Sequence, residues 1–352
     1  MGEKNIIYSQ RYVNMKNGGT IIDNIELRTK LFQEYIEELT SRQIQQSFEE
    51  KNLNTLFEDL CLQFEKLYGE KIENVELINR YQKGIRVSAY TSKLYPAIYV
   101  DELFESTLMS FLYVCFLWSE FENDPEIWSF CFRYMLFIFH EQCILGEMVC
   151  ETDLKRILEY ISKKDPHIFY QASDCYWTIL TFCLSHELAH IYFDRMGRES
   201  ITYKQRRQEE FDADRIAYDM VLHIIMEDAK YPENKRRLYE FTSLAPMILM
   251  EYFDLFYYTD RVLYKQWVND NIHPTPIKRK NQLFGILYKP EYELKTNEAN
   301  ALFHAVLNVT DRGYKDNLLL KMHRGKLTNV LDYERRTEFL SEKKIGDRTN
   351  EY

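Results

Sequence analysis

Glycine and proline are scarce in this chain, at 11 and 8 of 352 residues. A turn-rich β fold needs both at its corners, so their scarcity argues for long helices. A disulfide framework is excluded next. The 7 cysteines are odd in number, lie in apolar helical stretches and show no CxxC spacing, the pattern of reduced cytosolic thiols buried as small hydrophobes. Long apolar runs are missing as well. The longest, Leu108 to Trp118, falls short of the roughly 18 to 20 residues that a bilayer span needs. The next, Ile127 to Leu145, is interrupted by Arg133, His140 and Glu141. Positive charge is in deficit: a net charge of -10 repels polyanions, so no nucleic-acid partner is expected. The short basic runs Lys204 to Arg207 and Lys278 to Lys280 read as solvated faces. Met1 to Gln10 is polar and charged, and Ile6 stands where a myristoylation motif requires Ser or Thr. These absences predict a cytoplasmic protein without a membrane partner.

What is present is apolar and aromatic. Hydrophobic residues make up 45%, with 27 Tyr and 22 Phe, enough for a sizeable core. Amphipathic helices are predicted over Glu26 to Lys51 and Leu56 to Tyr68. From Val75 the period changes. Val75 to Ile78, Gly84 to Ser92 and Tyr95 to Asp101 are β-branched and aromatic runs that predict three short strands. Helical patterns return at Glu102 to Phe121 and Ile127 to Thr152, rich enough in aromatics to be buried on most sides. A further long helix, Lys235 to roughly Val268, is expected to be interrupted or kinked at Pro246. The fold class is therefore mainly α with a small antiparallel β-sheet, an α+β arrangement.

The chemistry concentrates between Thr178 and Asp214. His186-Glu187-Leu188-Ala189-His190 lies in an apolar run that predicts a buried helix, capped near Ser173-Asp174 and ending at Gly197. Four residues apart on a helix, the two imidazoles project from one face and can grip one metal ion, while Glu187 is turned enough to reach a water on that ion. Zinc hydrolysis needs three protein ligands and one open position. Glu210 is the candidate third ligand, because Glu210, Ala213, Asp214, Ala217 and Val221 form one stripe at helical period, whose alanines permit close approach. Glu209 is the rival, but adjacent helical residues point about 100° apart, and only Glu210 shares a face with Asp214. Two neutral imidazoles and one carboxylate leave the site net positive. That charge lowers the pKa of bound water from about 15.7 to about 7, so that Glu187 can take its proton and hand it to a leaving amine. Asp214 is placed to receive the second N–H of a ligand His. Cys183, one turn before His186, reads as core packing, as do His140 and His223.

His186-Glu187-xx-His190, then Glu210-xx-Ala213-Asp214, then His273-Pro274 with Arg279 six residues after the His, resembles the signature of gluzincin proteases such as the CAAX prenyl protease and HtpX-like families. The closer resemblance is to Lit-like phage-exclusion proteases, over about Gly84 to Leu287; the absence of membrane spans departs from the CAAX protease and HtpX groups. The resemblance implies a zincin-like core, bound Zn2+, and a cytoplasmic endopeptidase whose Lit member cuts elongation factor Tu when a phage protein is present. Residue by residue it reaches His186, Glu187, His190, Glu210, Asp214, His273 and Arg279. His273 would donate to the oxyanion or sit on the zinc as a fourth ligand, and Arg279 would anchor its segment through a carboxylate such as Asp214. The expected organisation is an N-terminal helical extension over 1–70, a zincin-like catalytic domain over 71–310 and a C-terminal helical and charged tail over 311–352. The expected partners are a protein substrate and an activating protein or peptide. Alternatives are a regulatory peptidase that cuts a repressor, and a catalytically silent interaction protein. In zincins generally, the edge strand of the small sheet pairs with an extended peptide.

Overall fold

A computed structural model describes residues 52–81, 86–91, 95–144, 157–228, 242–264, 273–287 and 297–323, apart from a few positions inside those ranges. The predicted helix over Glu26 to Lys51 and most of the C-terminal tail lie outside the described residues. Helix α1 (Leu53–Tyr68) starts where the Asn52 side chain accepts the Thr55 N–H at 2.9 Å, and stops at Gly69, whose φ of 71° suits a left-handed cap. Three strands follow, β1 (Glu76–Arg80), β2 (Val87–Tyr90) and β3 (Ala97–Asp101).

The sheet is mixed, where a wholly antiparallel one was expected. Its order is β1-β3-β2, with β1 parallel to β3 and β2 antiparallel to it. Burial explains the order. In β3 Ala97, Ile98 and Val100 are buried, so it takes the centre, while β2 ends in an exposed Tyr90 and takes an edge.

Asp101 ends β3 and caps α2 (Glu102–Glu120) by accepting the Leu103 N–H at 2.8 Å. Helix α3 (Pro125–Phe137) places its proline in the first turn, where no N–H is needed, and gives way at Ile138 to a π-helical stretch, Ile138–Ile144. The uniform helix expected over that region is thus interrupted. Helix α4 (His167–Arg195) carries the His pair and begins upstream of its expected cap at Ser173-Asp174. Ile168, Phe169, Ala172, Cys175 and Ile179 are all buried at helical spacing, so packing carries the helix through Ser173. After a short turn, α5 (Tyr203–Asp228) starts where the Thr202 Oγ1 accepts the Gln205 N–H at 3.2 Å. Helix α6 (Ala245–Tyr264) begins next to Pro246, after a turn at Ser243 and Leu244, so the break expected at this proline is an interruption and Pro246 stands in the first turn of the helix. Helices α7 (Pro276–Leu287), α8 (Asn297–Asn308) and α9 (Asp316–His323) complete the fold, with a second π-helical stretch, Val309–Lys315, before α9.

Helix α4 belongs to two cores at once. Its first half packs with α2, α3, α6 and α8 in the larger cluster. Its second half, through Leu184, Leu188 and Ala189, packs with α1, the sheet and α5 in the smaller one. At about 1.5–3 kcal/mol for each fully buried large side chain, this double anchoring holds α4, and with it the His pair, firmly in both clusters. Among the described residues no helix is long and apolar enough to cross a membrane.

Candidate active site

Helix α5 packs back along α4, and Ala189, Ala213 and Ala217, each with 0% exposure, stand where the two helices meet. Without bulk there, side chains one turn away converge. His186 Nε2 and His190 Nε2 lie 3.1 Å apart, and each is 3.5 Å from a carboxylate oxygen of Glu210. These three residues form a group that could hold a metal ion. The spacing fits that purpose. Ligand atoms at about 2.0–2.2 Å from a tetrahedral ion stand roughly 3.3–3.6 Å from one another along the tetrahedron's edges.

The outer edge of each imidazole faces a carboxylate of its own. His186 Nδ1 is 3.0 Å from Asp214 Oδ1, at an angle bent away from a straight hydrogen bond. His190 Nδ1 is 3.2 Å from Glu209 Oε1, and Ser200 Oγ donates to the other oxygen of Glu209. With protons held on both Nδ1 atoms, both Nε2 lone pairs point at the same small space, which repels unless a cation fills it. Glu209 therefore holds His190 and is not itself in the three-residue group. Asp214, wholly buried, is gripped by Arg279 Nε at 2.8 Å and Nη2 at 2.5 Å.

Charge is strongly redistributed here. Burial alone would lower the His186 pKa, but hydrogen bonds to Asp214 and Glu210 outweigh it and, among protein groups alone, raise it to about 10. Burial would raise Glu210, yet the hydrogen bond and charge of His186 bring it to about 2. For Asp214 burial is likewise overcome by the Arg279 guanidinium, leaving it at about 2. The His190 hydrogen bond lowers Glu209. All four shifts reflect one demand, that of clustered carboxylates for positive charge.

Glu187 lies beside the group, half-buried. Its Oε2 accepts the backbone N–H of Ala89 in β2 at 2.6 Å, and desolvation raises its pKa against the opposing pull of His186 and His190. His273 stands at the rim: its side chain is 51% exposed, with Nε2 3.6 Å from Glu210 Oε1, and it is outside the compact three-residue group. Cys183 lines the cleft, but burial raises its thiol pKa far above neutrality, which suits a packing role. The cleft has a volume of about 710 Å³ and runs between β2 on one side and α6, with Phe253, Phe256 and Tyr257, on the other.

The structure thus brings together His186, Glu187, His190, Glu210, Asp214 and Arg279, with His273 at the edge. Sequence reasoning missed Glu209 as a support, Ser200 behind it, and Ala89. The adjacent carboxylates Glu209 and Glu210 were the available signal, since two imidazoles on one helix need two outward partners. Ala89 left no signal, because its contribution is a backbone N–H.

The arrangement defines a class: two imidazoles and one carboxylate on packed helices, grouped so that they could hold one metal ion, with a further carboxylate, Glu187, at their side. Compared with known proteins, residues 151–299, which carry all seven of these residues, match the family model described as Peptidase U49. The chain is similar to that peptidase family over this region. No curated protein and no solved structure matches the chain.

Proposed function

We propose that this protein is a Zn2+-dependent endopeptidase that cuts a specific protein substrate. The observation that carries the reading is the convergence of two imidazole nitrogens, 3.1 Å apart and each 3.5 Å from one of the two Glu210 carboxylate oxygens, beside a carboxylate that is not among them. His186, His190 and Glu210 fit zinc in donor type and spacing, and zinc held there would supply a Lewis acid that acidifies water and polarises a carbonyl.

The chain's own groups do the rest. Asp214 and Glu209 keep the Nδ1 protons in place and so keep Nε2 of each histidine basic. Ala89 N–H occupies Glu187 Oε2 and leaves Oε1 to take a proton from water and return it to the leaving amine nitrogen. A pKa raised by burial brings Glu187 closer to neutral pH, where a group that first accepts and then donates is most effective. Strand β2 is an edge strand along the cleft, so an extended peptide can pair with its free backbone groups, the Ala89 N–H being already taken by Glu187. His273 is positioned at the rim to donate to the substrate carbonyl oxygen.

The Lit-like resemblance supports a conditional, cytoplasmic, phage-defence role, and makes elongation factor Tu the first substrate to try, with an activating protein or peptide present. Purified protein should hold about one zinc per chain by elemental analysis. Glu187→Gln should retain it while cleavage falls by several orders of magnitude. An active Glu187→Gln protein, or a chain that takes up no metal, would overturn the reading.

A further inference from the structure

We propose that Arg86 and Arg206 make the cleft selective for substrate strands that carry acidic side chains on both sides of the bond placed beside Glu187. The inference rests on the endopeptidase reading and names the substrate class for that site.

The two arginines line one cleft, and the course of the chain puts them on opposite sides of Glu187. Arg195, at the end of α4, donates to the Lys71 and Glu73 carbonyls just before β1, so β1 enters near that end of the helix. At the far end of β1 Asn79 bonds Glu105, which also accepts from Tyr176 in the first half of α4. Strand β2 is antiparallel to β3 and hence to β1, so it runs in the same sense as α4, with Arg86 at the Tyr176 end. Glu187 fixes the reacting position opposite Ala89. Arg86 is then three residues, or about 10 Å, along the edge strand from it. Arg206 lies on the other side, one turn or about 6 Å before Glu210 on the same face of α5.

Both side chains are available. Arg86 is exposed and has no side-chain partner among the described residues. Arg206 is exposed and lines the cleft, and among the described residues it spends only its Nε–H, on the Ser200 carbonyl at 3.1 Å. The other two cleft arginines are already paired, Arg198 with Asp212 at 2.6 Å and Arg279 with Asp214 at 2.8 Å. Of the four carboxylates in the lining, Glu187 and Glu210 belong to the central group and Glu209 is committed to His190 and Ser200, which leaves Asp194 as the opposing charge. In a chain of net charge -10, two uncommitted arginines flanking the reacting position form a local exception that attracts carboxylates.

The test uses full-length, zinc-loaded Glu187→Gln protein and two fluorescein-labelled peptides with the same apolar centre. One carries Asp about three residues to either side, the other Lys at those positions. Anisotropy at low salt should show the Asp peptide binding about tenfold tighter. The preference should shrink below about twofold in Arg86→Gln/Arg206→Gln and reverse in Arg86→Glu/Arg206→Glu, a reversal that also shows the variant is folded. Equal affinities, no binding of either peptide, or a preference that survives both replacements would overturn the proposal. Cleavage of a degenerate peptide mixture by the wild-type protein is scored separately. Cutting without the charge preference defeats only the selectivity, whereas the preference without cutting defeats only the endopeptidase reading.

Discussion

Replacing Asp214 by Asn separates the support of the site from its chemistry. The carboxylate is wholly buried, bridged to Arg279 by bonds of 2.8 and 2.5 Å and set 3.0 Å from His186 Nδ1. Against the effect of burial, the Arg279 guanidinium lowers its pKa from 3.8 to about 2, so the ionised form contributes on the order of 2 kcal/mol to the folded state at neutral pH. Stranding a buried guanidinium by removing its partner costs about 3–5 kcal/mol in comparable pairs. We therefore expect Asp214→Asn to lose about 3 kcal/mol in urea unfolding, and zinc affinity to fall about 10- to 100-fold in competition with a chelator, because His186 loses its orienting acceptor. Adding Arg279→Met should return most of the stability and none of the zinc affinity. The pH dependence has a definite sign. A folded-state pKa below the unfolded one contributes stability above about pH 4 that disappears as the pH falls through about 2, so the wild type should lose this increment in acid and Asp214→Asn should not. A loss under about 1 kcal/mol, or zinc binding rescued together with stability, would refute the assignment of two separable duties to one carboxylate.

Two further substitutions probe other parts of the fold. Glu209→Ala removes the acceptor 3.2 Å from His190 Nδ1 at a partly exposed position; the far-ultraviolet spectrum should stay unchanged while zinc affinity drops about tenfold or more, and unaltered affinity would show that Glu209 does not hold the ligand. A Cβ added at Gly313 would come within 2.8 Å of the Trp118 ring in the larger core; Gly313→Ala should lower stability by about 1–3 kcal/mol with zinc affinity intact, and an unchanged unfolding midpoint would mean that the π-helical stretch yields without cost.

The parts of this fold that could be read from the chain are those written in local periodicity. The helix pair α4 and α5 follows from apolar spacing around His186 and Glu210, and the buried Ala213 and Ala217 were visible as small residues in the same stripe. Strand positions were legible to within a few residues, but the parallel pairing of β1 with β3 was not. Nothing in Glu76 to Arg80 encodes which neighbour it will meet, and that choice is made by which strand can be buried on both sides. The two π-helical stretches were also invisible, since the register shift at Ile138 answers to packing among aromatic side chains on several helices.

At the site, legibility divides along the same line. Residues that act through a side chain on one helical face, His186, His190, Glu210 and Asp214, are bound to each other by spacings of four, and such spacings survive into three dimensions. Glu209 faces away from that stripe, and its value appears only once α4 lies across α5 and brings His190 Nδ1 to it. Ala89 is the limiting case: its side chain has no chemistry, and what it gives Glu187 is an N–H made available because β2 is an edge strand. Any residue with a backbone N–H would serve at that position, so replacing Ala89 with most side chains that fit should leave the contact intact, while proline alone would remove it. A site assembled in this way fixes His186, His190 and Glu210 through sequence and Glu187 through topology, and for that reason Glu187 is the member whose geometry depends most on the sheet staying in place.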